Sequence, residues 1–518
     1  MSRQRRVYVL FFSLFNIAVL FGLGENYGNV NTECGSSKDK KAIKLYKEAE
    51  NKFKTKDYRG AIYLLNRALE MEEDYGDALF LLGYAYISKG DKNLLAAEKY
   101  LSRAISVCPD KYPYAYYYIG EIQFWDERYV ESIKNLEKFI SFPESEIKNK
   151  DYDRADKMLS RARFYDKIFS NPVPFNPKLL KNISTNFDEY LPIISPDGEI
   201  SFFTRRKQIA PDEYSIVQRG VPYIEKFCMS NFVNDSVFEE GEPLPDPFNK
   251  SQNEGGATVT IDNKYLFYTI CNFTAKGYYN CDIYIAENVN GKWGNIKNMG
   301  EAINTDTTWE AQPSISGDGN VLYFVSDRAD GIGGYDIYYS NRLSDGTWSK
   351  AINIGKEINT VGNEKSPFIH PDSKTLYFAS DGWETIGGYD IFFSRRDSAG
   401  RWSKPQNIGY PINSREDDIS FFVSTNGKKA YFASNKLKGA GGWDVYYFDL
   451  YKEAQPDKIL FIKGYVKDES DSIVPQVEVE LKSLKSKEVK KISVDSVTGK
   501  YATIVSFNDD YILTVKQE

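Results

Sequence analysis

The sequence predicts a multidomain chain, one α part followed by two β parts: a helical solenoid, a five-bladed β-propeller (six blades being the alternative) and a small β-sandwich. Three observations predict it. Apolar residues recur at three- and four-residue spacing from Ala42 to Phe169. A unit of about 54 residues with four short strand signals then repeats between Leu191 and Phe448. A fresh period-two alternation starts at Phe461. The 518 residues accommodate about three domains at roughly 150 residues each.

The N-terminus comes first. Met1–Arg6 is basic, Val7–Leu23 is apolar but for Ser13 and Asn16, and Gly22 and Gly24 place small residues before Glu25. This reads as a secretory signal over residues 1–24, with an uncleaved membrane anchor as the alternative. Cys34, followed by Gly35-Ser36-Ser37, is a candidate lipidation site. No second apolar run of spanning length follows, and export makes disulfides permissible.

In the helical region, residues 40–170, Ala61, Leu65 and Ala68 recur as Ala97, Leu101 and Ala104. Ser132, Leu136 and Phe139 follow, then Ala155, Leu159 and Ala162. Leu82-Gly83 and Ile119-Gly120 sit where one helix must approach the next closely. The period of about 34–36 residues and this small-large order resemble tetratricopeptide repeats, three of them with a closing helix near Asp151–Phe169. That resemblance implies peptide or protein binding in a groove, with a helical spacer as the plain alternative.

Asn171-Pro-Val-Pro174 ends the helices, and the β region spans residues 175–452. Its third, fourth and fifth units run from Gln312, Ser366 and Ser420. Each holds an apolar strand, a turn, an aromatic strand such as Leu322-Tyr-Phe-Val325, a Gly-Gly loop and an aromatic-Asp-aliphatic strand such as Tyr335-Asp336-Ile337. Units one and two open at Leu191 and Ala257. These units resemble the WD40-like blades of TolB-type periplasmic propellers. Turn-to-turn spacings of 65, 56, 54 and 54 residues give five blades, with extra residues of unit one near Gln208–Val221. The segment Ile183-Ser184-Thr185 precedes Pro192 as Ile358-Asn359-Thr360 precedes Pro367, so the entering chain is expected to complete the last blade beside Tyr446-Tyr447.

Aligning the units exposes an acid three residues before the Pro-equivalent position: Glu189, Glu254, Glu310, Glu364 and Asp418. These five could ring a channel mouth and bind a cation or a basic peptide. The alternative is architectural: each accepts backbone N–H bonds and locks neighbouring blades. Asp282, Asp336, Asp390 and Asp444 are expected to cap turns. A calcium loop at Asp327–Asp336 lacks the EF-hand ligand order.

The 66 Lys+Arg against 73 Asp+Glu leave a formal charge of −7, which argues against nucleic acid as a partner. The single histidine, His370, removes most catalytic triads and His-based zinc sites, and sits where other units place a turn serine. The sialidase box is not matched by Leu343-Ser-Asp-Gly-Thr-Trp348, and no carboxylate pair for glycoside cleavage stands out. Cys271 and Cys281 lie at the two ends of one loop, where a disulfide fits; two free thiols are the alternative. Cys108 and Cys228 show no partner. No cofactor and no metal site are implied.

Residues 457–518 alternate over Phe461–Asp468, Val477–Leu481 and Asp510–Val515, with Gly499-Lys-Tyr501 between. This order resembles the carboxypeptidase regulatory-like domain, a β-sandwich without catalytic content. Taken together, the three modules resemble the Bacteroidetes envelope proteins typified by PorE, a type IX secretion component, without the OmpA-like domain usual there. The resemblance implies a non-enzymatic scaffold at the periplasmic side of the outer membrane. Its partners would be envelope or outer-membrane proteins, with peptidoglycan reached only indirectly. A TolB-like envelope-integrity protein and a propeller hydrolase of glycans or peptides are the alternatives.

Overall fold

A computed structural model describes residues 34–517, apart from 91–93, 144, 209–222, 235–236, 252, 275–276, 290, 475–476 and 508. The signal segment and most of the extra residues of unit one therefore lie outside the described residues. The chain divides into two compact units, Met1–Ser170 and Asn171–Glu518.

The first unit is helical: α1 (Lys40–Lys54), α2 (Tyr58–Met71), α3 (Gly76–Ser88), α4 (Leu94–Val107), α5 (Pro113–Trp125), α6 (Tyr129–Ile140) and α7 (Asn149–Ser170). Side chains start the first two: Asp39 accepts N–H bonds from Lys41 and Ala42, and Asp57 from Gly60. The repeat positions read from the sequence are the buried stripes of α2, α4, α6 and α7. A Cβ on Gly83 would lie 2.6 Å from Leu101 Cγ, and one on Gly120 2.8 Å from Leu136 Cγ. Hydrogen there is what lets paired helices close on each other.

The second unit opens with β1 (Lys178–Leu179) and continues through two meanders joined into one path. The first meander holds β2 (Asp188–Ile194), β3 (Ile200–Gln208) and β4 (Tyr223–Asn234), with β5 (Val237–Phe238) and β6 (Glu242–Pro243) on β4. The second holds β7 (Asn253–Val259), β8 (Tyr265–Phe273), β9 (Tyr279–Val289) and β10 (Lys292–Asn298). A single parallel bridge, Glu225 to Asn253, links them.

Two four-stranded antiparallel sheets follow in chain order. One is β11 (Glu310–Ile315), β12 (Val321–Ser326), β13 (Asp336–Asn341) and β14 (Ile352–Asn353). The other is β15 (Glu364–Ile369), β16 (Thr375–Ser380), β17 (Asp390–Arg395) and β18 (Gln406–Asn407). The last sheet takes β19 (Phe422–Val423), β20 (Lys429–Ser434) and β21 (Asp444–Asp449) and is completed by β1, with Lys178 opposite Tyr447 and Leu179 opposite Tyr446. The entering chain thus completes the last sheet as its spacing predicted. Residues of all five first-strand segments line one common cavity.

Beyond them, β22 (Ile459–Tyr465) and β25 (Lys500–Ser506) form one small sheet; β23 (Val477–Ser483), β24 (Val489–Ile492) and β26 (Tyr511–Gln517) form another. Val466, Val479, Leu481, Ile492 and Val505 form their shared core.

Cys271 and Cys281 stand opposite each other on β8 and β9 and form the expected disulfide. A second, Cys34–Cys108, was not foreseen. It corrects the lipidation candidate, because the Cys34 sulfur is already bonded to another sulfur. Cys228 is buried and free. Two disulfides are those of an exported, non-cytoplasmic protein. Among the described residues no helix is long and apolar enough to cross a membrane.

Candidate active site

The five aligned acids are placed first. Glu189, Glu310 and Glu364 are fully buried, Glu254 nearly so. Glu189 accepts from Thr185 N–H (2.9 Å) and its hydroxyl (2.6 Å) and pairs with Arg205 at 2.7 Å. Glu254 accepts the N–H groups of Asn249 and Ser251, both at 2.8 Å. Glu310 takes Thr305 N–H and the hydroxyls of Thr308 and Ser326. Glu364 takes Thr360 N–H and the hydroxyls of Thr360 and Ser380; Asp418 takes Ser414 N–H and Lys436.

Each carboxylate therefore ties down the loop just before its own strand. Burial raises Glu189, Glu310, Glu364 and Asp418 above the ordinary range, with these bonds opposing it. A binding role at a channel mouth is corrected: these carboxylates are buried or nearly so, with their oxygens bonded to the loops beside them. The turn aspartates behave as expected at Asp336, Asp390 and Asp444, which accept N–H bonds from the Gly-containing loops before them.

A different cluster has chemical character. Asp188, Arg206 and Glu225 stand directly opposite one another on β2, β3 and β4, so all three side chains leave the same face. Asp188 Oδ2 accepts two bonds from Arg206, from Nε at 3.0 Å and from the terminal guanidinium nitrogen at 2.7 Å, while Oδ1 accepts Trp443 N–H at 2.9 Å. Glu225 takes the Tyr190 hydroxyl, and Arg206 lies over the rings of Tyr190 (5.3 Å) and Tyr223 (5.0 Å). The Asn253 side-chain oxygen Oδ1 accepts Glu225 N–H at 2.9 Å, while its Nδ2 donates to the Tyr279 hydroxyl. All but Asn253 keep part of their surface in solvent.

Burial raises Glu225 above the ordinary glutamate range, against the opposing pull of the Tyr190 hydrogen bond and Arg206. Asp188, by contrast, is held in an ion pair. The two backbones lie one strand apart on either side of β3, about 9.6 Å from each other. Two carboxyls facing one way, one of them with its protonated form favoured by burial, can offer a proton donor beside an acceptor.

The sequence reading passed over this cluster. A signal existed: unit one carries Glu225-Lys226-Phe227 where others have Tyr335-Asp336-Ile337, Tyr389-Asp390-Ile391 and Trp443-Asp444-Val445. Shared bonding fixes that equivalence, for Phe227, Ile337 and Ile391 N–H each donate to an Asn side chain.

No protein-family model and no curated protein matches the chain. Among solved structures it is similar to a thermostable family-43 glycoside hydrolase, at 15% identity and a TM-score of 0.37, over 54% of this chain and 94% of that one. An endo-arabinase from Bacteroides thetaiotaomicron gives 13%, 0.36, 54% and 98%. The Sgt2 TPR domain from Aspergillus fumigatus gives 20%, 0.22, 29% and 93%. The expectation of a non-enzymatic scaffold, and of no enzyme, is corrected here. Several of the similar solved structures are glycoside hydrolases, the class held above as an alternative.

Proposed function

We propose that the chain is an exported hydrolase of glycans. It is built as a tetratricopeptide-like helical array, a five-bladed propeller bearing the site, and a carboxypeptidase-regulatory-like sandwich. One observation carries the reading: the same-face row Asp188–Arg206–Glu225. Glu225, whose protonated form burial favours, gives its proton to the glycosidic oxygen as the bond to the anomeric carbon breaks. Asp188 takes a proton from the water whose oxygen bonds to that carbon. Arg206 holds Asp188 in place, and the partly exposed rings of Tyr190 and Tyr223 offer apolar surface for a sugar beside the guanidinium that lies over them. With Asp188 as the base, water attacks the anomeric carbon directly, hence inversion there. The order of modules supports a place at the outer membrane of a Bacteroidetes-type envelope, as in PorE-like proteins, with envelope glycans or their protein carriers as partners.

Proton NMR of the first-formed sugar from arabino- and xylo-oligosaccharides tests the mechanism. Inverted product from the wild type, lost in Asp188→Asn, is expected. Retained configuration would remove the base role of Asp188.

A further inference from the structure

A second cavity lies at the end of the sheets opposite the Asp188 row. Asp188 opens β2 and Ile194 closes it, so the turn beyond, residues 195–199, stands about 20 Å along the strand from that row. This turn, the corresponding turn of the last sheet at residues 424–426, and β22 of the small sandwich border a space of about 610 Å³. The volume is that of a small-molecule site, and junctions between modules are where such sites concentrate.

Its lining divides by chemistry. Phe238 and the exposed ring of Phe232 come from the first meander, Ile459 and Phe461 from β22, and all four are apolar. The last sheet supplies donors. Lys429 and Tyr431 are two apart on β20 and so leave the same face, with Asn426 in the turn before them. Tyr431 is 6% exposed; its hydroxyl has no hydrogen-bond partner among the described residues, yet it is not sealed off. Burial pushes that phenol up to about 12, so it keeps its proton to donate. Asn426 Oδ1 accepts the Ser424 hydroxyl and Lys428 N–H, which leaves the amide nitrogen to donate elsewhere. Lys429 meets one carboxylate, Asp449 at 3.4 Å, which is itself 88% exposed.

The acids bordering the cavity are already engaged. Asp197 accepts the Ser195 hydroxyl at 2.6 Å and the Asn263 amide at 2.7 Å, and Glu199 pairs with Lys463 of β22 at 2.9 Å. Three donors grouped on one sheet, apolar side chains on the others and no unpaired acid fit an anionic head on an apolar body. We propose that this cavity binds an acyl carboxylate, with its head on Asn426, Lys429 and Tyr431 and its chain along Phe232, Ile459 and Phe461. It shares no residue with the Asp188–Arg206–Glu225 row, so it stands whether or not the chain cleaves glycans.

Octanoate is the probe, titrated into the full chain by isothermal calorimetry. Octanol and octylammonium carry the same chain on neutral and cationic heads, and acetate carries the head alone. Octanoate should bind at least about tenfold more tightly than each of the three, because hydrogen bonds to a charged head are the stronger ones. Tyr431→Phe removes one hydroxyl from the cavity and should weaken octanoate about tenfold. Asn426→Asp keeps the size of an exposed side chain but sets a negative charge beside the head, and should abolish binding. Far-UV circular dichroism confirms that both variants fold. Absence of octanoate binding, equal affinity for octanoate and octylammonium, or unchanged affinity in either variant would overturn the site.

Discussion

Single residues show what position alone decides. Glu121 on α5 is raised from 4.5 to about 7 by burial, partly opposed by Arg154. The native chain thus keeps a proton that the unfolded chain releases. The contribution is intact below the unfolded value and is lost as pH rises towards about 7. The thermal midpoint of the helical unit should fall between pH 5 and 8, by up to about 2–3 kcal/mol of stability. Glu121→Gln should flatten that slope in melts followed by circular dichroism at 222 nm. Acids held low by turn N–H groups, such as Asp39 and Asp57, act only below this window. His370 was read as a turn residue of no consequence, and it does stand at the turn. The reading missed its burial: Nδ1 accepts Asp372 N–H (3.1 Å) and Nε2 meets the carbonyl of Ser424 (3.2 Å), tying neighbouring turns. Glu189 and Asp188 make the same point, since adjacent acids on one strand face opposite ways and only one was singled out. Alternation is legible in a sequence, but which face meets solvent is set by the partner strands.

Elements were the most legible level. Repeated small-large spacing located the helix pairs because close approach needs glycine at Gly83 and Gly120. Gly120→Ala should cost about 1–3 kcal/mol in urea unfolding, because the added methyl meets Leu136. The repeated aromatic strands gave the meanders for the same reason: they alternate between two buried faces. Disulfides were half legible. Cys271 and Cys281 share one hairpin, whereas Cys34 lies 74 residues from Cys108, and nothing local announces that pairing. Loop closure by the longer link should stabilise more, roughly 4–5 kcal/mol against 2–3 for the shorter. Cys34→Ser should accordingly lower the melting temperature of the helical unit more than Cys271→Ser lowers that of the sheets.

Across the second unit, closure and the proposed chemistry share their parts. β1 completes the last sheet, Leu180 N–H donates to Val445 at 2.8 Å, and Trp443 N–H then holds Asp188. Leu180→Pro removes that donor and should both raise susceptibility to limited proteolysis and weaken turnover through Asp188. Spacing made the closure legible. The site was not, because it is assembled across three strands, one of which departs from its repeat. The most direct test of the central claim is release of reducing ends from arabino- and xylo-oligosaccharides by the wild type and Glu225→Gln. The account predicts steady turnover by the wild type and a loss of about 10²–10⁴-fold in the variant. Absence of turnover by the folded wild type, or equal rates in both proteins, would contradict it.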